Sequence, residues 1–254
     1  MTKIRSIALL VVVGLAACTG GDDATPTVPS VTVATVPPTV APVVDLGEVY
    51  FAALADPEAA GASGAGAALP GSDAAIFMAH QAATRDLLGL PASRTLGVAT
   101  TGFDVCEADR ACVTYSAIVS DPASGQVTTF SIDGVPLTGR IVGAGPAADR
   151  DGVTARVGSA YRSISGDLLV LVEVDNNTDV SVEPFGFAAV FQTLDTGEGV
   201  EATGAWGAGV VAAGDTGYLL VRFASTELGG RLRFSGVRSD GLDVSFELVV
   251  PAPG

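Results

Sequence analysis

The sequence predicts an α+β region followed by an all-β region, and three observations carry that division. Residues 45–90 hold two stretches of helical apolar spacing, each with a start signal. Residues 95–142 switch to a period of two. From Val153 to Val250 the chain reads as strand after strand, divided by turn signals. Helices first and a meander after make 45–142 a small α+β domain, and roughly seven antiparallel strands make 153–250 a β-sandwich.

Each element has a local reason. Asp45 is placed to cap a first helix, with Glu48 three residues on as a capping box and Leu46, Val49, Tyr50, Ala53 and Leu54 on its apolar side. Asp56-Pro57 ends it, and the small residues from Gly61 to Gly66 read as a loop. Ser72 caps a second helix, Asp73–Leu88, which Gly89 stops. Strands are expected at Thr95–Val105, Ala111–Ser120, Gln126–Ile132 and Val135–Val142, with Asp133-Gly134 as a hairpin turn. Residues 143–152 read as a linker. The lone G-x-G-x-x-A within it lacks the following helix that a dinucleotide site requires.

In the second region Asp167–Val174 is a continuous apolar run, and Phe185–Leu194 places Phe185, Phe187, Ala189 and Phe191 on one face. Thr216–Phe223, the pair Leu232 and Phe234, and Val244 to Val250 alternate cleanly. Residues 251–254 are a tail. The string Leu168-Leu-Val-Leu-Val-Glu-Val-Asp-Asn-Asn-Thr178, with Ala213-Gly214-Asp215 entering a strand and Arg231-Leu-Arg-Phe-Ser235, resembles the immunoglobulin-like domains of secreted actinobacterial antigens and lipoproteins. The resemblance spans about residues 153–250. It implies an immunoglobulin-like sandwich and an extracytoplasmic binding role, and supplies no catalytic residue.

The N-terminus carries an address. Lys3 and Arg5 precede the apolar run Ile7–Leu15, too short for a membrane span of about 20 residues but suited to a secretory signal. Leu15-Ala16-Ala17-Cys18 resembles the lipobox of bacterial lipoproteins: an aliphatic residue, two small ones, then cysteine. The resemblance implies cleavage after residue 17, lipidation of Cys18, and a membrane-anchored protein on the extracytoplasmic face. Residues 18–44, with Pro26, Pro29, Pro37, Pro38 and Pro42, read as a disordered Thr/Pro-rich stalk reaching about 80 Å, glycosylated or bare.

Composition removes several functions. Loss of residues 1–17 takes Lys3 and Arg5 and no acid, so a net charge of −15 becomes −17. Such a chain repels nucleic acid and anionic lipid. Lys3 is the sole lysine, which leaves no Schiff-base or phosphate-loop lysine beyond it, and His80 is the sole histidine. Cys106 and Cys112 remain as an even pair in an oxidising compartment, where a disulfide is the expected state. Two free thiols or a metal pair are the alternatives, although no histidine nearby supplies further ligands.

The candidate sites are few. His80 sits at helical spacing with Ile76, Ala83 and Leu87, either as a base or ligand or as a histidine at the core edge. Trp206, in a glycine-rich stretch, is either an exposed partner contact, or a sandwich-core tryptophan or one packed under a loop. Asp175, Asn177 and Asp179 have the spacing of a calcium loop, but Val180 and Gly186 stand where that loop needs glycine and glutamate, so a polar turn is expected. No metal, cofactor or catalytic set is expected. The function read from the sequence is a non-catalytic, lipid-anchored binding module contacting an envelope protein or a small molecule. The alternative is a carrier holding a small apolar ligand between the helices and sheet of the first domain. An enzyme using His80 ranks last.

Overall fold

The computed structural model describes residues 45–57, 64, 66–90, 94–107, 111–194, 196–207 and 209–254. The expected signal, the lipobox-like string with Cys18 and the whole of the expected stalk (18–44) lie outside the described residues. Helix α1 spans Leu46–Ala55, and the Asp45 carboxylate accepts from the Gly47 and Glu48 amides at its start. Helix α2 spans Asp73–Leu88, capped by the Ser72 hydroxyl, which accepts from the Ala75 amide. It ends on Gly89 in the left-handed conformation (φ 60°), where the Leu90 amide turns back to the Arg85 carbonyl.

A first sheet follows, an antiparallel meander in chain order: β1 (Thr95–Ala99), β2 (Gly102–Cys106), β3 (Val113–Ser120), β4 (Val127–Ile132) and β5 (Val135–Pro136). Both helices bury one face on it. The space between is packed with rings: Phe51 lies 5.0 Å from Phe103, 5.0 Å from Tyr115 and 5.4 Å from Phe130, and Phe77 lies 5.5 Å from Phe130. The Tyr50 hydroxyl donates to the Ala74 carbonyl at 2.8 Å, tying α1 to the first turn of α2.

A second, six-stranded sheet joins β6 (Ile141–Val142), β7 (Ala148–Arg150), β8 (Val153–Arg162), β9 (Leu168–Asn176), β13 (Gly204–Gly207) and β14 (Thr216–Phe223). A third sheet holds β10 (Val182–Pro184), β11 (Val190–Thr193), β12 (Gly199–Glu201), β15 (Gly230–Arg238) and β16 (Asp243–Val250). All of their pairings are antiparallel. Val170, Val172, Val221 and Phe223 of the second sheet and Phe191, Leu232, Phe246 and Leu248 of the third form one core between them. This is the antiparallel β-sandwich that the strand pattern predicts.

Four expected elements are redrawn. Thr95–Val105 is a hairpin rather than one strand: it turns at Thr100-Thr101, and Gly102 passes so close to the Tyr115 carbonyl that a Cβ would sit 1.9 Å from its oxygen. Val135–Val142 divides between two sheets, because Pro136 closes the first while Ile141 and Val142 pair with Tyr161 and Ala160. The stretch read as a linker, 143–152, contains β7, which pairs with the start of β8. Phe185–Leu194 is interrupted by a 3-10 turn at Gly186–Ala188. That turn throws Phe187 outward, 73% exposed, while Ala189 and Phe191 stay buried.

A bulge joins the two regions. Along β8 the residues Val153, Ala155 and Val157 face the sandwich core. Strict alternation would send Ser159 and Tyr161 the same way. The register against β9 slips between Val157 and Ser159, so Ala160 faces the sandwich core instead. Ser159 and Tyr161 then turn toward α2. The Ser159 hydroxyl meets His80 Nδ1 at 2.8 Å, and the Tyr161 ring packs edge-on to Phe77 at 5.4 Å.

Candidate functional site

His80 is fully buried in α2, 0% exposed. Its Nδ1 shares a hydrogen bond with Ser159, and its ring lies 5.8 Å from Tyr161. Burial lowers its pKa to about 4, which keeps the imidazole neutral at ordinary pH. Nε2 has no partner among the described residues. A histidine sealed from solvent, paired with a serine and with no carboxylate in its hydrogen bonding, is placed to join α2 to β8. The ring itself is closed off from solvent, while its partner Ser159 borders a cavity with Ala79, Ala83 and Gly143. The ring sits at the joint between the two regions, between α2 and β8.

Cys106, at the end of β2, is bonded to Cys112, just before β3, with the Cα atoms 4.1 Å apart. The bond closes one end of the β2–β3 hairpin. Asp175 accepts from the Thr216 hydroxyl at 2.6 Å, and its neighbour Asn176 is buried. The Asn176 amide donates to the carbonyls of Val180, Val211 and Ala212 at 2.7–3.1 Å, and its Oδ1 accepts from Thr178. The polar turn is therefore organised by Asn176, one residue away from the calcium-like positions. Among the described residues no three His, Cys, Asp or Glu side chains gather as a metal site.

Trp206 lies on β13, the edge strand of the second sheet, and is half-buried. Its ring lies over Gly204, where an added Cβ would approach the ring to 2.5 Å, and the Arg222 guanidinium sits 5.8 Å from the ring centroid. It is therefore outside the sandwich core. Together with Phe185, Phe187, Leu219 and Gly209 it lines a groove of about 360 Å³ beside the 3-10 turn. Gly186 makes the turn possible: a Cβ there would come within 2.7 Å of Leu219 and 2.8 Å of Ala205. Phe185 is 38% exposed. The sole charged residue among the lining is Glu183.

Sequence inspection named Trp206 but missed the rest of this surface. The phenylalanines were assigned to one strand face, and the only hint otherwise was Gly186 between them. The space between helices and first sheet, proposed from the sequence as a ligand chamber, is occupied by Phe51, Phe77, Tyr115 and Phe130.

No family model and no curated protein matches the chain. Among solved structures, a crystal structure of the yeast GGA1 GAE domain–P21 matches at 10% identity, covering 41% of this chain and 96% of that chain, with a TM-score of 0.26. A superposition of that quality decides nothing, and the two-sheet architecture rests on strand register and burial.

Proposed function

We propose that this chain is a non-catalytic, lipid-anchored module of the extracytoplasmic envelope that binds a protein partner through the Phe185–Phe187–Trp206 groove. The observation that carries the reading is Phe187. A 73% exposed phenylalanine on a turn is costly to leave in water, and it stands beside an exposed Phe185 and a half-buried Trp206. Aromatic anchors around a small groove are the usual makings of a protein contact. The partner's chemistry follows from charge. Glu183 lines the groove and the chain carries −15, so the matching surface is an apolar side chain flanked by basic residues. The resemblance of Leu15-Ala16-Ala17-Cys18 to a lipobox supports the location.

A photoreactive amino acid placed at Phe187, in the cell of origin, tests the contact, with exposed Val98 of the first sheet as control. The expected result is a crosslink from position 187 and none from 98, mapped to a partner segment with Lys or Arg around an apolar residue. Equal labelling from both positions, or an acidic partner segment, removes the reading. The anchor is tested apart: Cys18→Ala abolishes acyl labelling and releases the protein from the membrane. Unchanged retention refutes the anchor and leaves the groove untouched.

A further inference from the structure

Three Asp-Gly pairs stand in this chain: Asp133-Gly134, Asp151-Gly152 and Asp240-Gly241. Such a pair can react with itself. The glycine amide nitrogen has no Cβ beside it, so it can reach the carboxyl carbon of the preceding aspartate. All three pairs occupy turns, with φ of 79°, 82° and 88° at the glycines. By sequence alone they are equivalent.

The fold holds them differently. Asp133 Oδ1 accepts from the Thr114 amide at 2.8 Å. Asp240 is held by both oxygens, Oδ2 accepting from Arg238 Nη2 at 2.7 Å and Oδ1 from the Leu242 amide at 3.3 Å. The Gly241 amide is engaged as well, donating to the Arg238 carbonyl at 2.9 Å. Asp151 is exposed at the tip of the β7–β8 hairpin. Among the described residues its carboxylate accepts no hydrogen bond, and the Gly152 amide donates to no backbone carbonyl. What is fixed at this turn is the main-chain oxygens. Arg238 Nη1 donates to the Asp151 carbonyl at 3.0 Å, and the Gly152 carbonyl accepts from the Asn177 amide at 2.9 Å.

We propose that Asp151-Gly152 is the site at which the folded chain converts an aspartate to isoaspartate. The Gly152 nitrogen bonds to Cγ of the protonated Asp151 carboxyl, and one carboxyl oxygen leaves as water with the amide proton. A five-membered imide results. Water then adds at the Asp151 main-chain carbonyl carbon, and the bond from that carbon to the Gly152 nitrogen breaks. Nothing is oxidised or reduced. The main chain now runs through Cβ and Cγ, and the old carbonyl is a free carboxylate. Arg238 already donates to that carbonyl, so it polarises the carbon that water attacks and pairs with the carboxylate that forms. The product turn is one carbon longer in a two-residue hairpin loop, which is what sets the register of β7 on β8.

Ageing of the full-length chain in warm neutral buffer tests the proposal, followed by tryptic digestion and electron-transfer fragmentation, which distinguishes isoaspartate from aspartate. The three pairs fall on separate arginine-bounded peptides. The same chain aged in urea is the comparison. Unfolded, the three sites are expected to react at similar rates. Folded, Asp151 is expected to lead the other two by about tenfold, the rate equivalent of one net hydrogen bond that Asp133 or Asp240 must first break. Asp151→Glu abolishes the signal at 151, because the larger ring closes far more slowly. Isoaspartate rising first at 133 or 240, equal rates at all three sites in the folded chain, or no isoaspartate at 151 once the urea sample has reacted overturns the proposal.

Discussion

The core under the two helices is built from rings: Tyr50, Phe51, Phe77, Tyr115 and Phe130 touch one another at tilted or edge-on angles, 4.9–5.7 Å between centroids for the closest pairs. The sandwich core is built mainly from valine, leucine and alanine, with Phe191 against Phe223 and Phe234 against Phe246 as its ring pairs. The difference follows from geometry. Two helices of 10 and 16 residues over a small meander leave a few large gaps, which rings fill. Two facing sheets present many small, regular positions, which β-branched residues fill in strict alternation. A ring removed from the first core therefore opens a larger hole than an aliphatic residue lost from the second.

The largest effect expected is from Phe51→Ala, which removes a 0% exposed ring from the centre of the cluster. A loss of about 3–5 kcal/mol is expected in urea unfolding. Because Phe77, His80, Ser159 and Tyr161 join the two cores, the variant is expected to unfold in one transition, as Phe191→Ala does in the sandwich. Two separate transitions for either variant would mean that the cores are energetically independent.

Acid sharpens the same comparison at the joint. His80 has its pKa lowered to about 4 by burial, against 6.5 for the unfolded chain. Between these values the unfolded state binds a proton that the folded state does not. Stability is therefore full above pH 6.5 and falls as pH drops, with the loss complete below about 4. The gap corresponds to about 3 kcal/mol. His80→Gln, which can still bond Ser159, is expected to flatten this part of the stability curve; an unchanged slope would assign the acid sensitivity to other groups.

Next in size is the Cys106–Cys112 bond, which spans a sequence separation of 6. Replacing both cysteines by serine is expected to cost about 2 kcal/mol through the entropy of so short a loop. Hydrogen exchange should rise in β2 and β3 and remain unchanged in β14 to β16. Smallest of all is Phe187→Ser. Its side chain is exposed, so stability should change by less than about 0.5 kcal/mol while the crosslinked partner is lost. A large destabilisation would make Phe187 a packing residue and remove it from the proposed contact.

Much of the secondary structure was legible because its signals are local. Asp45, Ser72 and Gly89 mark helix ends through their own backbone geometry, and the alternation of Val244 to Val250 appears as a strand whose even positions are buried. The groove was not legible. Phe185, Phe187, Ala189 and Phe191 have the spacing of one strand face, and only the crowding of Gly186 against Leu219 and Ala205, from distant strands, turns the chain there. The joint was equally hidden, since the slip at Gly158 depends on pairing with β9.

The sequence by itself determined the order of helices and strands, the sandwich pattern, the acidic charge and the candidate address at Leu15–Cys18, because each rests on residues close together in the chain. Only the tertiary structure decided that Ser159 and Tyr161 turn toward α2, that His80 is sealed between two regions, and that Phe187 reaches solvent. Those outcomes depend on register and close approach between strands far apart in sequence, where a one-residue slip reverses which face a side chain takes.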